Sequence, residues 1–177
     1  MAQIAPEDFT CTLFQVKNHI CRITLNRRAY SELESAFRAA DADADVRCVV
    51  VTGTDPAFCS GDDVQEIMVG GAAERAATPR VKFEPTPAAM AVIECDKPVI
   101  AAVNGAAVGW GMELSLYADI RIASEKAVFA ELFIKRGLVC DVGGFWKLPG
   151  IVGSAKAAEL LFTGEPVKAK EIGRAHV

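Results

Sequence analysis

Residues 98–123, PVIAAVNGAAVGWGMELSLYADIRIA, decide the fold. Pro98 to Val103 is a short apolar run of the kind that forms a buried strand. Gly109 to Ala118 reads as a helix, and Asp119 to Ala123 as the strand that follows it. Between the first strand and the helix lies Asn104-Gly105-Ala106-Ala107-Val108-Gly109-Trp110-Gly111-Met112-Glu113. Small residues therefore stand where the helix begins. Backbone N–H groups there lack intrahelical partners, and the helix dipole is positive. Glycines let a ligand come close to those donors.

The same pattern occurs upstream. Val46 to Thr52, VRCVVVT, is a nearly continuous β-branched run, as expected of a strand buried on both faces. It leads into Ala57-Phe58-Cys59-Ser60-Gly61-Asp62-Asp63. Two such loops can each give one N–H to a single developing oxyanion, and losing one donor costs about 2.7–4 kcal/mol of catalysis. The same glycines also suit plain tight strand–helix packing. A dinucleotide cradle is excluded, because Leu114 stands where G-x-G-x-x-G needs its third glycine, and no G-K-[ST] follows.

Outward from these junctions, strands and helices continue to alternate. Thr12 to Val16 and Ile20 to Leu25 alternate about a turn at Lys17-Asn18, a hairpin. Ser31 to Ala40 is a helix with Leu33, Ala36, Phe37 and Ala40 on one face, and Ser31 with Glu34 forms a capping box. Pro87 to Cys95 is helical. Ser154 to Thr163 is a helix with Ser154 as N-cap and Gly164 just past its end. Gly70 to Pro87 is small, polar and Pro-bearing, hence a surface loop. The alternation argues an α/β fold with one layered core.

The chain has 177 residues, 51% of them hydrophobic and 24% charged, which is ordinary globular usage for one domain. With 19 basic and 23 acidic residues the net charge is −4, so no electrostatic footprint for nucleic acid exists. The longest uncharged stretch, Pro98 to Met112, is broken by Asn104 and three glycines, too short for a membrane span. The start, MAQIAPEDFT, has no basic or apolar leader segment, so no signal peptide is expected. Six cysteines without a C-x-x-C pair read as reduced core residues of a cytoplasmic protein. With only His19 and His176, a two-histidine zinc site or a Ser-His-Asp triad has almost nothing to be built from. Asp62-Asp63 lacks a third hard ligand, so no metal is expected. Cys59 or Cys140 as nucleophile would need a base, and His19 sits in a distant turn. Arg27-Arg28 could meet the phosphates of a ligand, though two exposed arginines usually mean only a solvated loop.

Three segments carry a resemblance: AFCSGDDVQEI, PVIAAVNGAAVGWGMELSLYADIRIAS and GLVCDVGGFWKLPGIVG. Together and in this order they resemble the hallmark segments of the crotonase, or enoyl-CoA hydratase/isomerase, superfamily, from the first hairpin to Lys170. The resemblance implies a crotonase-type spiral of repeated β-β-α units, an acyl-CoA thioester as substrate, and assembly as homotrimers or pairs of trimers. It implies an enzyme of fatty-acid metabolism, a lyase or an isomerase, with no cofactor beyond the CoA of its substrate. The thioester enolate would be held by the backbone N–H groups of Asp62 and Trp110, the latter where the family commonly has a glycine. Ala57, Phe58, Ser60, Gly61, Asp63 and Gly109 would line the CoA and substrate site.

Glu113 matches the first catalytic glutamate of the hydratases, one turn from Trp110. Its other reading is a first-turn acid that complements the dipole. The second catalytic glutamate aligns with Phe133. Glu131 stands two residues earlier and is not given that role. Asp141, in VCDVGG, falls where some isomerases carry a catalytic aspartate. Between apolar Val139 and Val142 its pKa would rise, suiting proton shuttling, although an aspartate before Gly143-Gly144 could equally cap the next helix. The resemblance thus favours a double-bond isomerase using Asp141, with a hydratase using Glu113 and Asp141, or an inert fragment, as alternatives.

Two departures from the family stand out. After Leu25-Asn26-Arg27 the chain runs straight through Arg28-Ala29-Tyr30 to Ser31, omitting a segment that lines the CoA site. Residues 1–171 are expected to form the core without the family's C-terminal helices. The last six residues, IGRAHV (172–177), are what the DNA string ATCGGAAGAGCACACGTC of a common sequencing adapter encodes, so they are expected to be adapter-derived.

Overall fold

A computed structural model of the chain describes residues 4–26, 30–61, 85–140 and 142–172. Strands β1 (Thr12–Lys17) and β2 (Ile20–Leu25) form the expected hairpin, with Thr12 opposite Leu25 and Lys17 opposite Ile20. The turn is Asn18-His19, one residue later than the sequence suggested. Both have positive φ, 53° and 65°, as in the two-residue turns whose twist matches that of the flanking strands.

From β2 the sheet continues in parallel through β3 (Cys48–Gly53), β5 (Val99–Val103) and β7 (Ile120–Ala123), in the order β1-β2-β3-β5-β7. Burial alternates along β3. Val49, Val51 and Gly53 are buried and the residues between them half-buried, so only one face is fully covered.

A second sheet, β4-β6-β8-β9, is built from β4 (Ala57–Cys59), β6 (Ala106–Val108), β8 (Val128–Ala130) and β9 (Val167–Lys168). These strands are too short for alternation to be read in sequence. The chain passes from the first sheet to the second at β3–β4, β5–β6 and β7–β8, and helix α3 (Trp110–Tyr117) follows β6. This is the repeating β-β-α unit that the resemblance implies.

Helix α1 (Tyr30–Ala42) lays Leu33, Ala36, Phe37 and Ala40 on the core with Cys21, Ile23, Val49 and Val51, and packs against α2 (Pro87–Ile93). The capping box is not formed, because Ser31 already lies inside the helix. The first-turn acid that binds is Glu32. Its Oε1 accepts the Thr10 N–H at 2.8 Å and hydroxyl at 2.9 Å, and its Oε2 accepts the Cys11 N–H at 2.8 Å. Burial opposes its ionisation, but these bonds outweigh it and hold the carboxyl below its ordinary pKa.

Cations close two helix ends, where unpaired carbonyls collect negative potential. Lys97 Nζ donates to the carbonyls of Ala40 (2.5 Å) and Asp43 after α1, and an Arg121 guanidinium nitrogen donates to Ala118 O at 2.5 Å after α3. The helix expected after Gly143-Gly144 is α4 (Gly144–Val152), which begins at Gly144 itself. Helix α5 (Ser154–Thr163) ends at Gly164 as expected, in the left-handed region, but its N-cap is Gly153 and not Ser154. The break at Gly153 (φ 80°, ψ 156°) lets the chain re-enter a helix at once, so Ser154 is already helical.

Candidate active site

The two junction loops touch through their backbones. A Cβ on Gly61 would lie 2.6 Å from the Val108 carbonyl oxygen and 3.4 Å from Trp110 N, and one on Gly111 would lie 2.1 Å from the Cys59 carbonyl oxygen. Only glycine allows this approach, so the end of β4 is seated on the start of α3. Asn104 fastens the loops. Its Oδ1 accepts the Gly53 N–H at 3.1 Å, and its Nδ2 donates to Asp55 Oδ1 at 3.1 Å and Ala57 O at 3.3 Å. Gly109 donates its N–H to Ala130 O at 2.8 Å, tying the helix start to β8.

Trp110 N therefore sits beside Gly61, the residue before the expected second donor. Asp62 and Asp63 lie outside the described residues, as do Arg27, Arg28 and Asp141. A cavity of about 140 Å³ opens here, lined by Leu25, Tyr30, Ala57, Ser60, Gly61 and Trp110 among others. The Trp110 indole, 6% exposed, packs edge-on to the Tyr30 ring at 4.9 Å between centroids. Phe58 is buried in the core and Ser60 is exposed, so the strand offers its backbone and its last residues to the cavity.

One turn along α3, Glu113 is fully buried. Its Oε1 accepts N–H bonds from Val142 (3.2 Å) and Gly144 (2.8 Å), which stabilise the carboxylate and tie the segment around Asp141 to the helix. Phe133, at the position of the missing glutamate, brings its ring within 3.7–3.8 Å of where a Gly109 Cβ would stand, a hydrocarbon wall with no proton to exchange.

Sequence reasoning passed over Glu131. It is 1% exposed, and neither carboxyl oxygen has a hydrogen-bond partner. A Cβ on Gly144 would lie 2.9 Å from Glu131 Oε1 and 3.0 Å from Glu113 Oε1, so the two oxygens are no more than about 6 Å apart. At that separation two negative charges repel by roughly 3 kcal/mol for an effective dielectric of about 20. Burial first, and Glu113 second, push the Glu131 carboxyl up to about 8. The Cys140 thiol is pushed up to about 12 by burial, then by Glu131 and Glu113. Tyr117, whose hydroxyl donates to Val142 O, is raised by burial and by Glu113. The available signal for Glu131 was a lone carboxylate directly after an apolar strand, AVFAELF.

Among the described residues no cluster of three or more His, Cys, Asp or Glu could hold a metal ion, and no helix is long and apolar enough to cross a membrane.

Comparison with known proteins adds four findings. The family profile described as "Enoyl-CoA hydratase/isomerase" matches residues 15–176. A Rhodobacter capsulatus protein named "Probable enoyl-CoA hydratase" is 41% identical over 151 residues, 85% of this chain and 56% of its own length. The 1,2-epoxyphenylacetyl-CoA isomerase of Escherichia coli is 33% identical over 90% of this chain and 64% of its own. Among solved structures, an enoyl-CoA hydratase from Polaromonas superposes with a TM-score of 0.81 at 30% identity, covering 93% of this chain and 68% of that one. The chain thus spans about 56–64% of the length of these curated relatives.

Proposed function

This chain belongs to the enoyl-CoA hydratase/isomerase family, and from that premise we propose that it binds an acyl-CoA thioester and holds its enolate between the backbone N–H groups of Trp110 and Asp62. The observation that carries this reading is the contact of Gly61 with Trp110 N, one helical turn from a buried Glu113. Donors fixed by backbone packing need no reorganisation when charge develops on the thioester oxygen. The backbone of residues 57–61 would hold the CoA portion.

Within the family we favour double-bond migration. The carbon α to an enolate-stabilised thioester exchanges a proton readily, and one carboxylate can take it at one carbon and return it at another. Asp141 is the proposed shuttle, with Glu113 as its partner. Phe133 at the usual second-glutamate position disfavours the standard two-glutamate addition of water. Hydration by Glu113 and Asp141 is the second reading, favoured by the hydratase name of the Rhodobacter relative. The parent enzyme is proposed to be a homotrimer or a pair of trimers.

Binding is tested by the melting midpoint of the chain with and without an enoyl-CoA, since a ligand of the native state alone must raise it. No shift at saturating thioester would mean an inert fragment. Chemistry is tested by turnover in deuterated water. Isomerisation gives a migrated double bond, hydration a 3-hydroxyacyl product. Asp141→Asn should cut turnover by about 10²–10⁴-fold with thioester affinity intact. Unchanged activity would return Asp141 to a helix cap, for which Asn serves equally well.

A further inference from the structure

Two carboxyl groups meet in the protein interior behind the start of α3, and only one of them has a place in the reaction proposed above. Glu113 receives two backbone N–H bonds. Glu131 receives none on either oxygen, although it is almost completely buried. A Cβ on Gly144 would lie 2.9 Å from an oxygen of Glu131 and 3.0 Å from an oxygen of Glu113, so both carboxyls reach the same spot beside that glycine. A charge in such a place settles where donors are, and the group without donors keeps its proton.

We infer that Glu131 and Glu113 form a buried carboxyl–carboxylate pair in which Glu131 holds the proton and Glu113 the charge, making Glu131 a positioning residue that sets the ionisation of Glu113. The pairing stands on the geometry, and its meaning for turnover rests on the role proposed for Glu113.

The surroundings agree. Tyr117 on α3 and Cys140 ahead of α4 are both pushed toward their neutral forms. Lys135 and Arg136, on the turn after Glu131, are exposed, and Lys135 pairs outward with Glu165 at 2.9 Å. Lys147 lies over the Tyr117 ring, its Nζ 5.8 Å from the ring centroid. Among the described residues no cation shifts Glu131, whose carboxyl is pushed up to about 8 by burial and by Glu113. While Glu131 is neutral, it adds no negative charge to the surroundings of the Glu113 carboxylate. Once Glu131 ionises, the new charge raises the proton affinity of Glu113 and opposes the negative charge that develops on the thioester enolate, so turnover declines.

The test needs no turnover at first. Infrared difference titration of the 177-residue chain should show the carbonyl stretch of a buried protonated carboxylic acid at neutral pH. It should bleach with a midpoint near 8 and be missing from Glu131→Gln. A spectrum with every carboxyl ionised at neutral pH, or a band that survives in Glu131→Gln, overturns the pair. The second readout is the pH profile of enoyl-CoA turnover. Glu131→Gln should leave the rate at neutral pH within a few-fold and move the alkaline limb up by about one unit or more. A profile that does not move overturns the control of Glu113. Should both proteins lack turnover while the band behaves as expected, the proposed function fails and the pair stands. Should Glu131→Gln not fold, carbon-13 labelling of glutamate carboxyls in the unaltered chain decides the same question.

Discussion

Glu131 also makes the stability of this chain depend on pH. Its ordinary carboxyl value is 4.5, and in the fold it rises to about 8. The folded chain therefore binds this proton more tightly than the unfolded chain. The stabilisation is whole below about pH 4.5 and is lost as pH rises through about 8. Glu32 acts in the opposite sense, since its value is lowered: its contribution is present above the ordinary range and lost on acidification. The urea midpoint is thus expected to fall between about pH 5 and pH 8, and Glu131→Gln, neutral throughout, should flatten that fall. Parallel declines in both proteins would place the titration elsewhere. Glu113 was legible in sequence because it sits at a fixed spacing from a glycine-rich helix start. Glu131 was not, because its direction depends on the pairing of β8 with β6 and on the bond from Gly109 to Ala130.

At the scale of elements, long periodic segments could be read and short ones could not. Apolar runs of five to six residues, rich in valine and isoleucine, announce β3 and β5, and the 3.6-residue period announces α1. Strands β4, β6 and β8 have three residues each, and only their ladders in three dimensions define them. The sequence showed Asn104 as part of a motif but not as the clasp between two motifs. Asn104→Ala removes the acceptor for Gly53 N–H and the donor to Ala57 O. An unsatisfied buried backbone group costs about 1–3 kcal/mol. The melting midpoint should drop accordingly, and affinity for a CoA thioester should fall further than for a substitution of equal stability cost elsewhere. If only stability fell, the clasp would not hold the site. Asn104→Asp, which keeps the acceptor but faces Asp55 with a second carboxyl, should lie between the two.

At the scale of the whole molecule the unexpected feature is exposed apolar surface. β7 closes the first sheet as an edge strand, with Ile120 and Ile122 53% and 60% exposed. Beside it lies a cavity of about 560 Å³ whose walls include Met112, Leu116, Phe129, Leu148 and Leu160. Trp146 and Phe162 are 70% and 76% exposed. Composition could not reveal this, because a balanced hydrophobic fraction says nothing of how it divides between core and surface. An apolar edge offers unpaired backbone groups as well as side chains to a second chain. Sedimentation should therefore show concentration-dependent association of the 177-residue chain. Ile122→Lys, a charge placed on that edge, should weaken the association by about tenfold or more while leaving the far-ultraviolet circular dichroism unchanged. A chain that stays monomeric at every accessible concentration would mean that β7 and its neighbouring cavity are not adhesive. Association undiminished in Ile122→Lys would move the contact to other exposed apolar residues, Trp146 or Phe162.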